Sequence, residues 1–142
     1  MRPVLAVTLL NRPSEIGRLV DLLESFGERT GLGPEVTFRL TLALDEIVAN
    51  VIRHGFDDKG EHQIAVRVTV DPDVVTATVE DDGVPYDPRD APPPDLDAPP
   101  DQRQPGGLGM HLVRSTMDEV LYRRHDGRNI LTVKTSRQGG ER

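Results

Sequence analysis

The chain contains no cysteine, which excludes disulfides, thiolate catalysis and cysteine-based zinc sites. Tryptophan is also absent and aromatic residues make up only 4%. A core must therefore come mainly from Leu, Val and Ile, within a hydrophobic fraction of 36%. Positive charge is in deficit: 17 Lys and Arg against 24 Asp and Glu leave −7. Such a balance argues against a nucleic-acid backbone as the main partner. It does not exclude a nucleotide, whose phosphates can be neutralised by backbone amides and a metal ion. Long apolar runs are missing too. The stretch VLAVTLL near the start falls far short of the ~20 residues a membrane span needs, and no small-residue cleavage site follows it. With 142 residues, the expectation is one cytoplasmic domain over 1–142, with no membrane and no nucleic-acid partner.

What is present is ordered periodicity. Val4–Leu10 reads as a strand. A helix follows from about Ser14, with apolar residues from Ile16 to Phe26 at helical spacing, and Gly31 and Gly33 stop it. A second helix runs from Pro34 to Arg53 or His54, with Val36, Leu40, Ala43, Leu44, Ile47 and Val51 as its stripe. QIAVRVTV (63–70) and VVTATVE (74–80) alternate as strands around Asp71-Pro72-Asp73. Leu108–Met117 reads as a short helix, and 119–126 with 129–135 as a hairpin. Without strict βαβ alternation, the fold class is α+β: a two-layer α/β sandwich with a mixed, mostly antiparallel sheet and helices on one face.

Three constellations could carry chemistry. Glu46 and Asn50, four apart on the second helix, share a face at the border of the apolar stripe; a solvated helix edge is the plain alternative. Asp81 follows a strand, where its carboxylate can accept from an exocyclic amine, and Gly83 lets a flat base approach; the alternative is a polar turn. Gly106, Gly107 and Gly109 enter a helix, where free amides and the dipole favour phosphate; the alternative is a hinge. Asp45 reads as a surface charge and His54 as a helix-end residue near the terminal carbonyls.

Together, and in this order, the constellations resemble the three boxes of the GHKL superfamily of ATP-binding domains. These are Glu46-x-x-x-Asn50 on a helix, Asp81-Asp82-Gly83-Val84-Pro85 after a strand, and Gly107-Leu108-Gly109 opening a helix. HGF, DDGVPYDP, GGLGMHLVRSTMDEV and YRRHDGRNILTVKT are further similar to stand-alone bacterial anti-sigma-factor serine kinases, over roughly Leu5 to Lys134. The resemblance implies a Bergerat-type fold with ATP and Mg²⁺ as cofactors. It implies Asn50 as the Mg²⁺ ligand, Glu46 as general base, Asp81 at the adenine amine, and the amides of Gly107, Leu108, Gly109 and Met110 at the phosphates. Pro85 stands where the superfamily has a second glycine. Pro105 stands where related kinases often carry arginine, so Arg103 is the nearest candidate for the γ-phosphate.

The resemblance also implies a lid at about 88–106. Seven prolines stand among residues 85–100 with Leu96 as the one large aliphatic, a composition that suits a segment which opens and closes. Implied partners are an anti-anti-sigma antagonist carrying the acceptor serine, a sigma factor held inactive, and a second copy in a homodimer. The homodimer would pair near Arg12, Glu15, Arg18 and Asp21. Two other readings stand beside this one: an ATP-binding regulatory module without kinase activity, and a histidine-kinase catalytic domain. The latter's phosphoacceptor hairpin would have no room ahead of Val4.

Overall fold

The computed structural model describes residues 2–90 and 107–137. Strands β1 (Val4–Leu10), β2 (Gln63–Val70), β3 (Val74–Asp81), β4 (Glu119–His125) and β5 (Arg128–Ser136) form one sheet in the order β1-β2-β3-β5-β4. Every neighbouring pair is antiparallel. The expected mixture is therefore corrected. β3 and β4 do run parallel, but β5 lies between them, so no parallel pair hydrogen-bonds. Helices α1 (Ser14–Thr30) and α2 (Pro34–His54) connect β1 to β2, and α3 (Gly107–Thr116) connects β3 to β4. A turn of 3₁₀ helix occupies Pro88–Asp90.

Local chemistry explains the boundaries. α1 ends because Gly31 takes φ +67°, a left-handed conformation that costs glycine little. Its N–H and that of Leu32 close back on the carbonyls of Glu28 and Gly27. Three residues later Pro34 starts α2, where its missing N–H costs nothing. In the strands burial alternates with period two. Ile64, Val66, Val68 and Val70 of β2 and Val75, Ala77 and Val79 of β3 point inward. Against them pack Leu19, Leu23 and Phe26 of α1 and Leu40, Leu44, Ile47 and Val48 of α2. Each such aliphatic contributes about 1.5–3 kcal/mol on full burial.

The strand register prepares the site. Leu9 faces Ile64, Ile64 faces Asp81, Asp81 faces Asn129, and Asn129 faces Arg124. One row across the five strands thus changes from aliphatic to polar at β3. The adjacent row, Val66–Val79–Leu131–Tyr122, stays apolar until its last member.

Candidate functional site

Where the row turns polar, a small cavity of ≈ 20 Å³ opens between the sheet and α2. Asn50 and Ile47 line it from α2, Asp81 from β3, Asn129 from β5, and Tyr86 and Pro88 from the segment leaving β3. That volume admits about one water.

Asn50 is 4% exposed, and its side-chain amide has no hydrogen-bond partner among the described residues. The residue is buried as a whole, but its amide faces the cavity. Asp81, 3% exposed, accepts through Oδ1 from the Gly83 N–H at 2.8 Å and from Asn129 Nδ2 at 3.0 Å. Oδ2 has no partner among the described residues. The carboxylate is therefore held at one oxygen and open at the other.

Asn129 does the holding. Its Nδ2 also donates to the Val84 carbonyl at 2.8 Å. Its Oδ1 accepts from Tyr122 Oη at 2.5 Å, Arg124 Nη1 at 3.1 Å and the Tyr86 N–H at 3.3 Å. Arg124 Nη1 further donates to the Gly83 carbonyl at 2.8 Å. One buried amide thus ties β5 to β3, to β4 and to the loop after β3. Sequence reading passed over Asn129, Tyr122, Tyr86 and Arg124. The available signal was parity: Asn129 shares its face with Leu131 and Val133, so a polar residue stands on an inward stripe.

Gly83 has a reason beyond the approach of a base. A Cβ there would lie 1.9 Å from the Gly55 carbonyl oxygen. That same carbonyl accepts from the Val84 N–H at 2.8 Å. The loop after β3 is thus pressed onto the C-terminal end of α2, and no side chain fits between. Pro85 is exposed at the surface of this loop.

Glu46 lies one turn before Asn50 on α2, half-buried, with no hydrogen bond or ion pair among the described residues. It does not line the cavity. α3 begins at Gly107, so the first-turn amides run through Leu108 and Gly109 to Met110, whose side chain is buried in the core. Arg103 and Gly106 lie outside the described residues, as does all but the first part of the expected lid. That first part is packed: Pro88 is buried, and its carbonyl accepts from Arg114 at 3.2 Å. His54 is exposed and its ring lies 6.2 Å from that of Tyr86, facing the loop rather than the helix carbonyls.

Beside the site, the His62 ring stacks on Phe56 at 4.2 Å. His62 Nε2 lies 2.9 Å from Asp58 Oδ1 and Nδ1 lies 3.6 Å from Asp82 Oδ1. The hydrogen bond to Asp58 raises the His62 pKa above its ordinary 6.5, and the same bond lowers that of Asp58. On the far side of the loop, hydrogen bonding from Arg89 lowers the Asp87 pKa.

Three of the four residues named for dimer contact, Arg12, Glu15 and Arg18, are engaged within the chain. Glu15 accepts from the Leu10 N–H at 2.9 Å and from Arg18 at 3.2 Å, and Arg12 pairs with Glu61 at 2.6 Å. Among the described residues no helix is long and apolar enough to cross a membrane.

A family model described as "Histidine kinase-like ATPase domain" matches residues 9–135. The chain belongs to that family. The site fits the assignment, since the match spans α2, the loop after β3 and the start of α3. Among similar proteins, the serine/threonine-protein kinase BtrW of Bordetella bronchiseptica is 35% identical over 113 residues, covering 78% of each chain. The serine-protein kinase RsbW of Bacillus subtilis is 27% identical over 135 residues, covering 92% of this chain and 83% of its own. RsbW of Listeria monocytogenes serovar 1/2a is 26% identical over 123 residues, covering 84% and 77%.

Proposed function

We propose that this chain is an ATP-dependent protein serine/threonine kinase. It phosphorylates a serine of an anti-anti-sigma antagonist and, alternately, holds a sigma factor inactive, working as a homodimer. The observation that carries the nucleotide reading is the pairing of Asn50 and Asp81 on one cavity, an amide and a carboxylate that keeps one oxygen free of protein partners among the described residues. Membership of an ATPase family and the names of the relatives support the kinase reading.

Asp81 Oδ2 accepts from the exocyclic amine of adenine, while Asn129 and the Gly83 N–H hold the other oxygen in place. The first-turn amides of α3 receive phosphate, aided by the helix dipole. Asn50 would hold Mg²⁺ through its amide oxygen, and the ion would supply neutralisation of phosphate charge. Glu46 takes the proton of the seryl hydroxyl. The freed oxygen bonds to the γ-phosphorus as the bond to the β–γ bridging oxygen breaks, and ADP leaves. A purine exceeds a cavity with room for about one water, so Tyr86 and Pro88 must swing outward on binding, continuous with a lid over 88–106.

Incubating the protein with Mg-ATP and a candidate antagonist, then locating phosphate by mass spectrometry, tests this. Phosphoserine on the antagonist is expected. Nucleotide binding without transfer would reduce the chain to a binding module, and phosphohistidine would point to the histidine-kinase reading.

A further inference from the structure

α1 and α2 leave a second hollow on the surface, a groove of ≈ 890 Å³ that shares no lining residue with the Asn50 cavity. Its apolar lining includes Val20, Phe38 and Leu42, and Phe38 is 66% exposed. Its acidic lining is Glu24, Glu28 and Asp45, and among the described residues no Lys, Arg or His faces it. Thr41, also in the lining, carries the one buried side-chain polar atom without a partner among the described residues.

We propose that this groove docks a basic amphipathic helix of a protein partner. Shape selects the helix. The lining residues recur at three- and four-residue spacing on α1 and again on α2, so the groove follows both helix axes for about 16 Å, at 1.5 Å per residue. A third helix of about three turns lies in such a channel by ordinary helix packing. Neither wall offers a free backbone edge, so an extended strand would gain no ladder. Charge selects the flanks. A leucine-type stripe meets Phe38 and Leu42, and Lys or Arg on either side of it meets the three carboxylates. Asp45 directly precedes Glu46, so a partner seated here stands next to the helix that carries Asn50. The inference does not rest on the kinase reading, because docking requires no phosphotransfer.

The probe is a fluorescein-labelled helical peptide of leucine and lysine, with leucine at i, i+3, i+4 and i+7. Controls are the same pattern with glutamate for lysine and a scramble of equal composition. Anisotropy should show the patterned lysine peptide binding and both controls failing. Phe38→Ser should weaken binding at least ~tenfold, as truncation of an interface aromatic does. The double variant Glu24→Lys, Glu28→Lys should weaken it and pass preference to the glutamate peptide. Amide shifts in labelled protein should map to residues 20–45, with ADP binding unchanged in every variant. The proposal is overturned if the scramble binds equally, if Phe38→Ser binds as the unaltered protein does, or if the shifts map elsewhere. It is also overturned if Phe38→Ser converts a dimer to a monomer in sedimentation, since the groove is then filled by a second copy.

Discussion

The two ends of α2 serve two hollows of opposite character. At the C-terminal end the Asn50 cavity is minute, and its polar groups are held by a network in which Asn129 bonds to Asp81, Val84, Tyr86, Tyr122 and Arg124 at once. At the N-terminal end the groove is wide and greasy, with carboxylates on its walls and no network across it. A buried hydrogen-bond network fixes geometry and discriminates by leaving groups unpaired when the wrong ligand enters. An open apolar groove discriminates by shape and field, and it tolerates variation. One helix can thus combine an exacting site with a permissive one.

The sharpest way to break this contrast is Glu46→Gln. Phosphotransfer should fall ~10²–10⁴-fold, while ADP affinity stays within a few-fold by calorimetry. Normal transfer would remove Glu46 from the chemistry and leave the polar end of α2 a binding site alone. Next in size is Asn129→Ala, which removes the hub and strands Asp81. A loss of about 2–3 kcal/mol in urea denaturation is expected, together with weaker ADP binding. If stability drops while ADP affinity holds, Asn129 supports the fold without orienting Asp81.

Gly83→Ala comes third. Its Cβ would overlap the Gly55 carbonyl at 1.9 Å, so the loop must lift from α2 at a cost of about 1–3 kcal/mol. Thermal denaturation measures it, and an unchanged melting point would mean the loop is loosely held.

The smallest effect concerns His62, which joins the loop after α2 to Asp82. Its folded pKa is raised, so its contribution is fully present below 6.5 and is lost as pH rises through the folded value. Asp58 is lowered, so its share is present above 3.8 and is lost as pH falls through its folded value. The clamp is therefore complete between those two pH values. An NMR titration should find His62 above its ordinary value in the native chain, and back near it in Asp58→Asn.

Much of the fold was legible in sequence. The bounds of β1, α2 and β2 match the periodicity reading, the other α-helices and strands differ by one or two residues at their ends, and the 3₁₀ turn at Pro88–Asp90 was not foreseen. Asp81 was readable as the residue just after an alternating strand, which the structure extends by one to include it, and Asn50 as the neighbour of a helical stripe. Asn129 was not, because a lone asparagine at a strand start resembles a turn residue until its parity with Leu131 and Val133 is weighed. The reason for Gly83 was half visible: glycine signals a close approach, and the end of α2, pressed against it, could not be read from the local pattern.

The sequence by itself determined where helices and strands form and in which order the three boxes occur. These follow from periods of 3.6 and 2 residues, from Gly31 and from Pro34, all of which act between near neighbours. The tertiary structure alone decided that β5 slips between β3 and β4, which sets Asn129 opposite Asp81, 48 residues away. It also decided that Gly55 closes on Gly83, and that α1 and α2 part enough to leave a groove. Register, contact and hollow space arise between segments distant in the chain, and a local pattern of residues carries no measure of the distance between them.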